Sequence, residues 1–191
     1  MYYSIDEGTE NERDQVRELL GPLGKISGTV EDKIITAWTS AWKSSPYEAL
    51  ADAPYSNHAP EIRLMDHVRD VNHFGIRFAQ DAQKHWNCDY DAEELACILA
   101  LYDVDKPLMF TRRGNQVEKS EISKNIQHGV LGAMILTELG LSQRVINTVA
   151  THAVNSPFHG ENFYAFVLNY ADMFASDYAL MQEGHVPYYQ K

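Results

Sequence analysis

Apolar positions along the chain recur at intervals of three and four residues, the period of an amphipathic α-helix, and nowhere alternate as a strand would require. The clearest stripe is Leu64, Val68, Val71, Phe74, Phe78 and Ala82, which predicts a helix from Leu64 to about Trp86. Leu95, Ile98, Leu99 and Tyr102 form a second stripe over Asp91 to Tyr102. Thr9 precedes an acidic first turn and Gly21-Pro22 stops it, so residues 9 to 20 read as a short charged helix. Ile34, Ile35, Trp38 and Trp42 predict a helix over Val30 to Trp42 that ends at Ser45-Pro46. Pro46, Pro54, Pro60 and weak periodicity predict a long loop from Tyr47 to Pro60, packed by tyrosines. The stretch FTRRGNQVEKSE reads as a polar loop with its turn at Gly114-Asn115. Three more helices are expected. One runs from Ile122 to Leu139 and stops at Gly140, one is capped by Ser142 and runs to about Ala153, and the last covers Glu161 to about Met181. The predicted fold class is all-α.

Composition narrows the partners rather than the fold. Sixteen basic residues against 27 acidic ones give a net charge of −11, which argues against a nucleic-acid binder and against an anionic membrane. The longest apolar run, Leu95 to Tyr102, is too short to span a bilayer. The polar, acidic start MYYSIDEGTENERD lacks the pattern of a secretory leader, so a cytoplasmic location is expected. Cys88 and Cys97 are too few for a disulfide framework or a cysteine zinc site. The 191 residues suit one structural unit, and a homodimer is left open.

Ionisable residues on apolar helix faces are the informative positions. His67 shares the stripe of Leu64, Val71, Phe74 and Phe78. His128 lines up with Gly132, Ile135 and Leu139 in the expected helix, and His152 follows Val145 and Val149 by seven and three residues. Asp172 falls with Ala165, Leu168, Ala175 and Ala179. Asp103 closes an apolar run at an expected helix C-terminus, where the dipole disfavours a carboxylate by about 0.3–1 kcal/mol. A buried carboxylate is costly unless it is paired or metal-bound. Taken singly, each residue could be a satisfied core group. Together, imidazoles and carboxylates suit zinc, manganese, iron or nickel.

In order and spacing these residues resemble the HD-domain superfamily of metal-dependent phosphohydrolases. The match begins at DHVRDV and continues through LALYDVDKP, HGVLGAMILTELGL, THAVNSP and NYADMFASD, roughly residues 64 to 180. The resemblance implies an HD-type helical bundle over residues 61–185, with residues 1–60 as an amino-terminal helical elaboration packed on it. It also implies a metal site of His67, Asp103, His128, His152 and Asp172, holding one or two divalent ions of Mn, Ni, Zn, Mg or Fe. One position departs from the family: Tyr102 stands where the paired histidine is expected. Deprotonating a phenol of pKa near 10 at pH 7 costs roughly 4 kcal/mol, so Tyr102 either ligates a ferric ion or stays neutral and contacts a ligand or water. Without metal, Asp103 and Asp172 are expected to be close like charges, with at least one raised pKa.

The activity implied is hydrolysis of a small phosphorylated metabolite or nucleotide by a metal-activated water. Two other classes remain open: a di-iron oxygenase on the same scaffold, and a catalytically reduced binding protein. Lys106 could contact a phosphate or be a surface lysine. Asp105 could take a proton from water or be solvated. Arg112, Arg113 and His159 are candidate contacts for an anionic substrate, with exposed loop positions as the alternative. Trp38, Trp42 and the tyrosines between 47 and 55 are expected to pack the elaboration.

Overall fold

The 23-residue α3 (Leu64–Trp86) turns Leu64, His67, Val68, Val71, Ala79 and Ala82 inward, while Phe74 and Phe78 of the expected stripe are half-buried at its edge. Ahead of it in the computed structural model, which describes residues 2–114 and 116–190, come α1 (Glu10–Leu20) and α2 (Gly28–Lys43). Thr9 and Glu12 close a capping box at the start of α1. After α3 follow α4 (Ala92–Leu101), the short α5 (Lys106–Met109), α6 (Val130–Glu138), α7 (Gln143–Thr151) and α8 (Phe163–Gln182). The molecule is mostly helical. Among the described residues, no helix is long and apolar enough to cross a membrane.

α4 is the axis of the structure. Every residue from Leu95 to Leu101 is buried, and the helix packs against α2, α3, α7 and α8. Packing against protein on all sides explains why its composition is apolar all round rather than striped. The amino-terminal residues share this core: one hydrophobic cluster includes Tyr3, Val16, Trp38, Leu99 and Ala175. Trp38 Nε1 donates to the Ala100 carbonyl at 2.8 Å, which ties α2 to the end of α4. The loop after α2 holds a single turn of 3₁₀-helix at Leu50–Asp52 and folds back so that Tyr55 N donates to Ile62 O at 2.8 Å.

Two sequence expectations fail. The segment read as a polar loop forms an antiparallel hairpin, β1 (Phe110–Arg113) with β2 (Gln116–Lys119), paired from Phe110↔Lys119 to Arg113↔Gln116. Four-residue strands in largely exposed sequence have no apolar alternation to betray them. Gly114, at φ 59°, takes the left-handed turn conformation, whereas Asn115 lies outside the described residues. The second failure is the helix expected from Ile122. Only a 3₁₀ turn forms at Ile122–Lys124, and α6 begins at Val130. Its N-cap, Gly129, has φ 84°, and a Cβ there would lie 2.6 Å from the Val149 carbonyl oxygen. A helix cannot run through that residue, so His128 sits before α6 rather than on its face.

Candidate metal centre

Asp103 lies in the turn between α4 and α5, 1% exposed, and its carboxylate is the point on which the site converges. His128 Nε2 stands 2.9 Å from Asp103 Oδ1, His152 Nε2 3.6 Å from the same oxygen, and His67 Nε2 3.8 Å from Oδ2. Lys106 Nζ lies 2.7 Å from Oδ2. His67 Nε2 is also 3.1 Å from Asp172 Oδ1, so Asp172 joins through His67. The five residues proposed as metal ligands therefore come together in one place, although His128 arrives from a loop and not from a helix.

The orientation of the rings is set from behind. His128 Nδ1 faces Asp105 Oδ1 at 2.8 Å, and His152 Nδ1 faces the Val149 carbonyl at 2.7 Å. Each contact places a proton on Nδ1 of the neutral ring and leaves the Nε2 lone pair aimed at Asp103. Neither oxygen of Asp103 has a well-aligned hydrogen bond, although both are fully buried. Ring nitrogens converging on a buried carboxylate without hydrogen-bond alignment describe a place for a cation. Ligand atoms of Asp103, His128 and His152 lie within 4.8 Å of one another, and these three could hold a metal ion.

Asp105 is the residue whose role the sequence hid. It is fully buried, not solvated. Its Oδ1 holds His128, and its Oδ2 accepts from Gly129 N at 2.8 Å and Gly132 N at 3.1 Å, capping α6 from a distant part of the chain. With both oxygens engaged it positions His128 rather than exchanging protons with water. Lys106 is likewise not a surface residue: it is 8% exposed, paired with Asp103, and its ammonium sits 4.0 Å from the centre of the Tyr55 ring.

Tyr55 also belongs here, from the loop expected only to pack the amino-terminal elaboration. Its ring lies 4.0 Å from that of His67, and its hydroxyl is 2.6 Å from Ser176 Oγ, which donates to Asp172 Oδ1 at 3.1 Å. No spacing rule could have found it, because the contact is made by a loop folding back over α3. Tyr102 fills the space between His67 and His152, with ring centres 6.1 Å and 5.2 Å away. Its hydroxyl is buried without a well-aligned partner. Burial, reinforced by Asp103 and Asp172, pushes this phenol well above its ordinary pKa of 10.0. In the metal-free centre it is therefore a neutral phenol.

The expected raised carboxyl pKa does not occur. Burial favours the protonated form of both Asp103 and Asp172, but their neighbours outweigh it: Lys106 and hydrogen bonds from the His128 and His152 rings hold Asp103 well below 3.8, and His67 holds Asp172 below it. Asp105 is lowered in the same way by His128, with the Gly129 amide adding to the effect. His128 answers in the opposite sense. Burial would lower it, yet Asp105 and Asp103 raise it from 6.5 to about 9.

The remaining candidates divide. His159 lines a cleft of about 630 Å³ together with His152, Asn162, Asn169 and Tyr170, and its Nδ1 is 2.9 Å from the Thr151 carbonyl. Arg112 and Arg113 lie on the hairpin. Arg112 donates to Pro60 O at 3.1 Å in a separate groove, and Arg113 is exposed beside Glu118. Neither makes a hydrogen bond or ion pair with the cluster. Comparison with protein-family models, with curated proteins and with solved structures finds no match to this chain. The chemistry therefore rests on the residues themselves.

Proposed function

We propose that the centre takes a divalent metal ion and that the chain is a metal-dependent phosphohydrolase acting on a small phosphorylated metabolite or nucleotide. The observation that carries the first half is the pair of imidazoles whose Nδ1 atoms are tied back so that Nε2 of each faces the buried Asp103 carboxylate. Asp103, His128 and His152 would hold the ion, with His67 and Asp172 beside them. When bound, a divalent ion supplies a hydroxide near neutral pH and polarises a phosphoryl oxygen. The protein's own contributions are separable. Asp105 and the Val149 carbonyl orient the two imidazoles. Lys106 carries a positive charge at the centre that suits a phosphate oxygen, and Tyr55 and Tyr102 exclude water from its inner side. The cleft shared by His152, His159 and Asn162 offers donors for an anionic substrate.

The order of the ligands along the chain, which resembles the HD-domain pattern, supports phosphate-ester chemistry in particular. Tyr102 in place of the paired histidine weakens the likeness to the oxygenase class. A reduced binding protein has one observation in its favour: Lys106 already supplies Asp103 with a cation at 2.7 Å. Release of phosphate from p-nitrophenyl phosphate and from a panel of nucleotides, after reloading chelated protein with Mn²⁺, Ni²⁺, Zn²⁺, Mg²⁺ or Fe²⁺, separates these readings. Metal-dependent phosphate release lost in Asp103→Asn supports the phosphohydrolase. Tight metal binding without turnover supports the binding protein, and oxygen uptake with Fe²⁺ supports the oxygenase.

A further inference from the structure

α8 spends one face on the metal centre, through Asp172, and leaves the opposite face bare. Phe166, Tyr170, Phe174 and Tyr178 follow one another at intervals of four residues and are 47%, 57%, 56% and 61% exposed. The exposed positions of this 20-residue helix are Phe166, Asn169, Tyr170, Phe174, Tyr178, Met181 and Gln182, with no charged residue among them. Its two aspartates are both engaged, Asp172 with His67 and Asp177 with the Tyr188 and Tyr189 amides. A helix that faces water normally carries charge on that side. A face stripped of charge and enriched in aromatic rings has the composition of an interface core.

The ridge extends sideways onto α3. Phe174 meets Phe74 edge-on at 5.0 Å between ring centres, and Phe166 lies 6.5 Å from Trp86. On this side the two helices leave two largely apolar grooves of about 480 and 580 Å³, one ending at Trp86 and bordered by Asp81 and His85, the other ending at Tyr189 and bordered by Asp70 and Asp177. An aromatic side chain presents about 150–250 Å². Trp86, Phe166, Tyr170, Phe174, Tyr178 and Tyr189, each roughly half or more exposed, thus offer on the order of 700 Å² to solvent. That exceeds the largest patch of a typical monomer, about 300–600 Å². It approaches the ~800 Å² that each partner contributes to a standard stable interface.

We infer that this face is the interface of a symmetric homodimer in which α8 packs antiparallel on α8 of a second copy. The spacing is self-complementary. A two-fold axis midway between Tyr170 and Phe174 sets Phe166 against Tyr178 of the partner subunit and Tyr170 against Phe174 of the partner subunit. Every facing pair is then one Phe and one Tyr, so each phenol keeps an edge for water while the rings stack. The chain's charge of −11 opposes self-association in general, but the exposed ridge of α8 brings no charge against its copy.

Sedimentation velocity or light scattering on the full chain, from low to high micromolar concentration, tests this. The parent should have twice the mass of one chain. Tyr170→Arg and Phe174→Arg, both at exposed positions, should each weaken the dimer by at least about tenfold while leaving the circular-dichroism melt of the monomer intact. A parent that is monomeric throughout, or a dimer indifferent to both substitutions, would overturn the inference. Orientation is read separately in a Cys88→Ser background. A mixture of Phe166→Cys and Tyr178→Cys chains should form disulfide-linked pairs far better than Phe166→Cys alone, and equal yields would overturn the antiparallel arrangement.

Discussion

Asp105 reaches back 2.8 Å to His128 Nδ1 and, with its other oxygen, holds the amides that begin α6. One buried carboxylate thereby sets both a ring orientation and a helix start. Asp105→Asn keeps the shape and can still accept from Gly129 and Gly132, but its amide opposes a proton on Nδ1. The ring should shift its proton to Nε2 and lose the lone pair that faces Asp103. We expect metal affinity to fall about 10–100-fold with the helical content retained, measured by calorimetric titration and circular dichroism. Unchanged affinity would show that His128 is not held by Asp105.

The pH dependence of the metal-free protein follows from the same contacts. The His128 pKa is raised from 6.5 to about 9, so its stabilising contribution is complete below pH 6.5 and is lost as pH rises through about 9. Asp103, Asp105 and Asp172 are lowered below 3.8, so theirs is present above that value and lost as pH falls through their folded pKa values. Chelated protein should therefore melt highest between about pH 4 and 6.5. Metal must displace the His128 proton, so affinity should rise by roughly tenfold per pH unit from 6.5 towards 9. Titrations in several buffers read both the slope and the proton released.

Lys106 and a metal ion compete for Asp103. Lys106→Met removes the ammonium at 2.7 Å from a nearly buried pair. The chelated protein should lose stability, about 3–5 kcal/mol for an uncompensated buried charge, and metal should restore much of it by binding the native state. Thermal melts with and without Mn²⁺ check this: the metal-induced rise in Tm should be larger in Lys106→Met than in the parent.

Tyr102→His places an imidazole between His67 and His152 where a neutral phenol now stands. It also removes a buried hydroxyl with no aligned partner. Higher metal stoichiometry or tighter binding than the parent is expected. The parent loaded with ferric iron should show no phenolate charge-transfer band if Tyr102 stays out of the coordination sphere; a band lost in Tyr102→His would make it a ligand. Identical affinity and stoichiometry in the two proteins would place residue 102 outside the coordination sphere.

What the sequence revealed depended on whether a residue's neighbours are local. His67 and Asp172 lie on long helices whose apolar stripes point them inward, and the structure brings them together. His128 does not occupy the helical register that its spacing suggests, and its inward position comes instead from Gly129 and Asp105. Asp105 and Lys106 looked like solvated charges because a tight turn between two buried helices has no periodicity to read. Tyr55 was invisible for a related reason: its partners Ser176, His67 and Lys106 are distant in the chain. The hairpin carrying Arg112 and Arg113 is held by backbone pairing, which leaves no signature in four largely exposed side chains.

The claim that Asp103, His128 and His152 hold a metal ion is tested most directly by elemental analysis of protein purified without chelator. The parent should carry a stoichiometric divalent ion, and His128→Gln and Asp103→Asn should carry almost none while remaining folded. A parent that holds no metal after purification, and takes up none from Mn²⁺, Ni²⁺, Zn²⁺ or Fe²⁺ in equilibrium dialysis, would contradict it.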